Sequence, residues 1–337
     1  MSKRVLLTGA SGTVGYAALK MLVEESKHEI TVFDLETKKS RKLLRKYKSR
    51  VKLVFGDISN KDDVRKVSKD KDVVIHLAAL IPPLADDMPG LAYKVNVTGT
   101  KNLVESLEIN SPYAFFAYSS SVATYGDRLS NPDIYTTDPL IPSVGDEYAK
   151  TKIEAEQIIR QSKLKWTIFR LSAIMGSNNH ETGKLMFHMP LSTSMEIATP
   201  QDTARAFVYA VDHAAELNHT IFNLGGGDKC RIKYLDFISK SFDIAGLGEL
   251  DFPENTFAER NFHCGHYADG DKLEEILHFR QDTIDDYFIK LEEDTPFFKK
   301  LVTRLFSKQI KKMLLSKSEP LNARTNNNTQ LIERFFN

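Results

Sequence analysis

The chain opens on a short apolar run, Val5-Leu6-Leu7, and then repeats that figure. Runs of strand length and β-like composition recur at Ile30-Thr31-Val32-Phe33, Val51-Lys52-Leu53-Val54-Phe55 and Asp72-Val73-Val74-Ile75-His76. Two more follow at Ala114-Phe115-Phe116-Ala117-Tyr118 and Trp166-Thr167-Ile168-Phe169-Arg170. Between them lie segments with helix-like apolar patterns, such as Ala17-Ala18-Leu19-Met21-Leu22-Val23. Strands alternating with helices predict an α/β fold, a doubly wound parallel sheet whose ligand lies outside the carboxyl ends of the strands. Those ends are small or acidic here: Asp34, then Gly56-Asp57-Ile58, then Leu77-Ala78-Ala79.

The alternation holds over residues 1–170 and then breaks down. Gly176 to Ser194 is polar and lacks a clear period, as suits an excursion on the substrate side. Thr203 to Ala215 predicts a helix, and Ile221-Phe222-Asn223-Leu224 a strand. Residues 171–293 are therefore expected to be mainly a smaller substrate-binding region, with some segments returning to the main sheet. Gly225-Gly226-Gly227 lacks the following Lys-Ser/Thr pair of a phosphate loop and reads as a sheet-to-helix connection. From 294 to 337 the chain becomes a basic amphipathic tail. Phe297, Phe298, Leu301, Val302, Leu305, Ile310, Met313 and Leu314 fall largely on one helical face, with Lys299, Lys300, Arg304, Lys308, Lys311 and Lys312 on the other. Such a face suits packing on its own domain or on a second subunit, which would make a homodimer. Contact with an anionic membrane surface is the less favoured use. Asn326-Asn327-Asn328 reads as loop-like or disordered.

Thr8-Gly9-Ala10-Ser11-Gly12-Thr13-Val14-Gly15 is the most informative stretch. A strand, a glycine-rich turn and a helix start make a site for a pyrophosphate, because unpaired N–H groups and the helix dipole favour negative charge. The spacing is G-x-x-G-x-x-G, a variant of the commonest dinucleotide fingerprint. Asp34 follows about 20 residues after the last glycine, where an acidic residue can hold ribose hydroxyls.

A second constellation carries chemistry. Ser119-Ser120-Ser121 follows a predicted strand, and Tyr148 and Lys152 stand four apart, on one helical face. A phenol titrates near 10 and is a poor base at neutral pH. A nearby ammonium and an oxidised nicotinamide would favour its phenolate. Ser121 could hydrogen-bond the substrate oxygen whose charge changes.

With these residues the chain, over residues 4 to about 290, resembles the extended short-chain dehydrogenase/reductase family, also called the NAD-dependent epimerase/dehydratase family. Further matching segments are Asn96-Val97-Thr98-Gly99-Thr100-Lys101-Asn102-Leu103, Tyr125-Gly126 and Asp269-Gly270-Asp271-Lys272-Leu273. The resemblance implies a Rossmann-type domain over 1–170 that binds NAD, with NADP as the alternative. It implies Tyr148 as the acid or base, Lys152 on the nicotinamide ribose and Ser121 as the substrate-orienting hydroxyl. Gly9, Ser11, Gly12, Thr13, Val14 and Gly15 would hold the pyrophosphate and Asp34 the adenosine ribose. Asp57 and Ile58 would flank the adenine. Leu77, Ala78 and Ala79 would line the ribose and pyrophosphate groove, and Asn96 would support the site.

Departures bear on the reaction. The sugar-nucleotide 4,6-dehydratases have acidic residues after the catalytic hydroxyl, where this chain has Val122 and Ala123. The UDP-sugar epimerases hold a diphosphate with an Asn and an Arg, at places corresponding here to Ala173 and Met195. The expected function is thus an NAD(P)-dependent oxidoreductase acting on a small carbonyl or alcohol compound through Ser121, Tyr148 and Lys152. The alternatives are a sugar or nucleotide-sugar epimerase/dehydratase with tightly bound NAD, or a nucleotide-sensing protein without catalysis.

Composition adds bounds. With 337 residues and 42% hydrophobic content, the chain can build a substantial core. A net charge of +1 gives no global field for nucleic acid. Lys38-Lys39-Ser40-Arg41-Lys42 reads as a solvated helix face. Two cysteines cannot make a disulfide framework, and the N-terminus runs straight into a strand, so a cytoplasmic location is expected. His263-Cys264-Gly265-His266 lacks a partner pair at zinc spacing, so no metal is expected there.

Overall fold

Val5 and Leu7 enter one apolar core and Leu6, between them, enters another. Val73 and Ile75 flank Val74 in the same way, as do Phe115 and Ala117 about Phe116. A strand buried on both faces is what a near-continuous apolar run produces, since successive side chains alternate in direction. The computed structural model describes residues 1–176 and 183–336. The expected excursion from Gly176 to Ser194 thus lies partly, at 177–182, outside the described residues.

Seven strands form the central sheet: β1 (Arg4–Thr8), β2 (Glu29–Asp34), β3 (Lys52–Phe55), β4 (Val73–His76), β5 (Phe115–Ser121), β6 (Lys165–Leu171) and β7 (Thr220–Leu224). Their order is β7-β6-β5-β4-β1-β2-β3, and every neighbouring pair is parallel. The chain winds from β1 out to β3, crosses back to β4, and winds the other way. The crevice of such a sheet opens at that switch point, beyond the carboxyl ends of β1 and β4. Helix α1 (Thr13–Glu25) covers one face through Ala18, Leu19, Leu22 and Val23, beside a helix over Pro200–Tyr209. Helix α2 (Glu147–Gln161) and a helix over Gly99–Asn110 cover the other through Ala155, Ile159, Leu103 and Leu107. The single tryptophan, Trp166, lies in this second core.

Two local readings shift. Ser119 to Ser121 belong to β5 itself, because they pair with Phe169 to Leu171 of β6. The helix expected from Thr203 starts at Pro200, because Thr199 Oγ1 accepts the Asp202 N–H (3.1 Å) and proline suits the first turn.

After β6 the chain builds a second region. Ala173–Ile174, Ser194–Ala198 and Arg231–Lys233 form a three-stranded sheet, and β7 returns to the main one. The core here gathers Phe187, Met195, Phe237, Phe242 and Phe288, with both cysteines, Cys230 and Cys264, as buried free thiols. Gly225 to Gly227 is a close-packed connection: a Cβ on Gly225 would run into the Glu196 carboxylate, and one on Gly227 into Arg280.

The tail folds as four helices, α3 (Phe297–Leu305), α4 (Ser307–Leu315), α5 (Glu319–Thr325) and α6 (Thr329–Phe335). Asn326 to Asn328 make the turn between the last two, with Asn327 left-handed (φ 52°) and Asn328 capping α6. Leu314 enters the second region's core, and Phe335 and Phe336 pack around Ala258. Helix α3 buries none of its residues. Among the described residues no helix is long and apolar enough to cross a membrane.

Candidate active site

The glycine turn joins β1 to α1 in little space. Gly9 has φ +73°, and a Cβ there would lie 2.6 Å from the Ala78 nitrogen. A Cβ on Gly15 would strike the Gly9 carbonyl, so the helix can start this close to the turn only with glycine. Gly12 caps α1 without a side-chain hydrogen bond. The N–H groups of the first turn, at Thr13 and Val14, therefore stay available to an anion. Asp34, at the end of β2, accepts from Ser11 through its N–H (2.7 Å) and its Oγ (2.9 Å). Burial, partly opposed by these bonds, raises the Asp34 pKa. A tight glycine floor, an open helix start and an adjacent carboxylate fit a dinucleotide.

The neighbouring turns close the groove. Asp57 accepts from the Ser59 N–H (2.8 Å) and hydroxyl (2.7 Å), and Ile58 is buried against Gly99. The Leu77 N–H donates to the Thr8 carbonyl and the Ala78 N–H to Thr8 Oγ1. Ala79 continues the same turn. Asn96 exchanges hydrogen bonds with the Leu80 N–H and carbonyl and donates to Thr151 Oγ1 (2.9 Å). It thereby braces this turn against α2.

Helix α2 and β5 bring Ser121, Tyr148 and Lys152 together. Ser121 Oγ accepts the Ala123 N–H (3.2 Å), and Ser121 sits close enough to the Tyr148 phenol to pull its pKa down. Burial raises the Tyr148 phenol above its ordinary range, against the pull of Ser121. Lys152 is 1% exposed; its Nζ donates to the Ser119 carbonyl (2.7 Å) and lies 5.6 Å from the Tyr148 ring centre. Burial lowers its pKa to about 7, against the attraction of Glu156.

Several supporting residues went unread in the sequence. Asp146 caps α2 by accepting the Ala149 N–H (2.8 Å), and its other oxygen lies 3.0 Å from His263 Nδ1. An Asp just ahead of a helical pattern is a cap signal, so this one was available. Asp86 accepts the Tyr148 N–H (3.1 Å), a contact with no sequence signal. Glu156 stands four residues past Lys152 on the same face and pairs with Arg170 of β6 in a two-pronged, buried ion pair (3.0 and 2.7 Å). A cavity of about 250 Å³, which the trio itself does not line, is bounded by Asp86, Asp87, Lys184, His188, Glu319 and Arg334, among others. Lys184 pairs with both Asp87 and Glu319. Among the described residues no group of three or more His, Cys, Asp or Glu is placed to hold a metal.

A parallel sheet of this order, with a glycine turn at its switch point, is a Rossmann-type fold. The chain belongs to the NAD dependent epimerase/dehydratase family, whose model matches residues 5–225. A 3-beta-hydroxysteroid dehydrogenase of Mycolicibacterium neoaurum is 30% identical over 207 residues, 58% of this chain and 54% of that protein. The N-acetyl-alpha-D-glucosaminyl-diphospho-ditrans,octacis-undecaprenol 4-epimerase of Escherichia coli O157:H7 is 30% identical over 188 residues, 53% of this chain and 51% of that protein. The chain thus spans about half the length of these curated relatives. The structure of UDP-glucuronic acid 4-epimerase from Bacillus cereus in complex with NAD superposes with a TM-score of 0.71 at 20% identity, covering 87% of this chain and 96% of that one. These comparisons back the epimerase/dehydratase alternative better than the net oxidoreductase reading.

Proposed function

We propose that the protein is an NAD-dependent epimerase acting at a secondary hydroxyl of a sugar. The observation that carries this reading is the half-buried Tyr148 phenol, beside Ser121 and one helical turn from the buried Lys152, in a chain of this family. In this reading residues 1–170 hold the cofactor, 171–293 mainly the substrate. Gly9, Ser11, Gly12, Thr13, Val14 and Gly15 hold the pyrophosphate, Asp34 the adenosine ribose, and Asp57 and Ile58 the adenine. Leu77, Ala78 and Ala79 line the groove that Asn96 braces. NAD, when bound, supplies an acceptor that takes a hydride from the carbinol carbon and can return it.

The chain's own part is proton transfer and positioning. Burial holds the Tyr148 phenol protonated; Lys152 and the positive charge of an oxidised nicotinamide would offset this, and the phenolate would then take the hydroxyl proton and later give it back. Ser121 Oγ holds the same substrate oxygen, where donors aimed at developing charge act most strongly. Lys152 stabilises the phenolate and holds the nicotinamide ribose. Val122 and Ala123 are buried and apolar, which disfavours elimination. Ala173 and Met195 offer no donor to a diphosphate, so the reading names a sugar and no nucleotide. A second reading, a net dehydrogenase, is favoured by the steroid dehydrogenase likeness.

Purified protein should release NAD on denaturation. Given NAD and a panel of sugars and nucleotide sugars, an epimerase interconverts isomers without accumulating NADH, whereas a dehydrogenase accumulates it. Tyr148→Phe should slow turnover about 10²–10⁴-fold and leave NAD affinity unchanged. Full activity in that variant refutes the assignment.

A further inference from the structure

Helix α3 sits inside out. Its polar side is the inner one: Lys300 and Thr303 are half-buried, and the Lys300 carbonyl abuts Gly246 at the end of the helix Tyr234–Ala245. Its apolar side faces solvent, with Phe297 81%, Phe298 75% and Leu305 71% exposed, and Phe306 carries the same surface into α4. Apolar residues at positions 297, 298, 301, 302 and 305 recur at helical spacing and make one continuous stripe. A contiguous apolar patch of this kind on a soluble fold marks an interaction site.

The charge around the stripe identifies what covers it. From Thr295 to Ser318 the chain carries seven cations, Lys299, Lys300, Arg304, Lys308, Lys311, Lys312 and Lys317, and no carboxylate. The whole protein has a net charge of only +1, so this basicity is local. Lys299, Arg304, Lys308 and Lys312 are exposed and make no ion pair among the described residues. A second copy docking here would bring like charges face to face, which opposes self-association. A nucleic acid would neutralise the cations but leave the leucine and valine side chains wet. An interfacial helix with an aromatic and aliphatic face and a lysine-rich flank is built for the boundary between headgroups and acyl chains.

We propose that α3 and the start of α4 dock the protein onto the surface of a bilayer containing anionic phospholipid, with Phe297, Phe298, Leu305 and Phe306 entering the boundary region. The full-length protein should co-sediment with phosphatidylcholine vesicles containing phosphatidylglycerol, only weakly with phosphatidylcholine alone, and less at high salt. Each cation near such a surface is worth about fivefold in affinity, so Lys299→Gln with Arg304→Gln should weaken binding roughly 25-fold. Phe298→Asp with Leu305→Asp should abolish it. Both pairs are exposed, so the variants should keep the wild-type melting temperature, which circular dichroism checks. No dependence on phosphatidylglycerol overturns the proposal. So does a dimer in light scattering that the Phe298 and Leu305 changes dissolve, and so does binding to a DNA duplex without binding to vesicles.

Discussion

His76 lies at the end of β4 with no exposed surface, and its protons can be placed by following its partners. Thr100 Oγ1 donates to the Asn96 carbonyl (2.6 Å), so toward His76 Nε2 (3.0 Å) it accepts. Nδ1 is then the acceptor for Thr8 Oγ1 (2.8 Å), which in turn accepts the Ala78 N–H (3.2 Å). A neutral imidazole with its proton on Nε2 satisfies every bond and ties the cofactor groove together. Burial first, and the nearby Lys152 charge second, lower its pKa to about 3. In the unfolded chain the ring titrates near 6.5, so below that the unfolded state binds a proton that the native state refuses. The contribution is complete above about pH 6.5 and is lost as pH falls toward 3. Between pH 7 and 4.5 it should fall by about 2–3 kcal/mol. Urea unfolding at those two values checks this, and His76→Gln should flatten that part of the acid limb. The sequence shows His76 and Thr8 only as strand ends. Their contact comes from the register, which sets Thr8 opposite His76 across two strands more than sixty residues apart.

At the scale of elements, the Glu156–Arg170 pair fastens α2 to β6. Arg170 also donates to the Tyr125 hydroxyl (2.8 Å), which donates to Asn223 of β7 (2.7 Å). Asn223 donates to Asp269 (2.8 Å), and Asp269 accepts from Thr136. One polar chain thus runs from α2 across β6 and β7 and reaches the segment ahead of the helix Asp271–Leu277. Removing one partner strands a buried charge, so Glu156→Gln or Arg170→Met should each cost about 3–5 kcal/mol in chemical denaturation. The double variant should cost less than the sum of the two. The strands were legible because burial on both faces demands apolar runs. Gly9, Gly15 and Asp34 were legible because turn geometry and spacing carry their meaning. Glu156 was not, since a glutamate in a helix is ordinarily solvated, and nothing local announces an arginine opposite it. The network's far end, Asp269, was noticed for its motif, while its partners became visible only with the sheet assembled.

For the molecule as a whole, the tail divides into parts with opposite roles. Leu314, Phe335 and Phe336 are buried, the Glu259 N–H donates to the Phe335 carbonyl (2.7 Å), and Ser318 donates to the Thr256 carbonyl (2.7 Å). Each such apolar side chain contributes about 1.5–3 kcal/mol. Ending the chain at Glu293 should therefore lower stability by on the order of 5 kcal/mol, a large share of what a domain has. Thermal melts of the truncated protein test this. Amphipathic spacing was legible in the tail, but periodicity says nothing of which face turns inward, and α3 turns the polar one. Meanwhile the two halves carry their own distinguishable reporters. Trp166 lies in the core of the first half, and Cys230 and Cys264 lie in the core of the second, their thiols pushed up to about 12 by burial. Intrinsic fluorescence and thiol-alkylation rate can thus follow each half separately in one urea titration of the unlabelled protein. Because β7 and the Asp269 network knit the halves, the two readouts should share one midpoint.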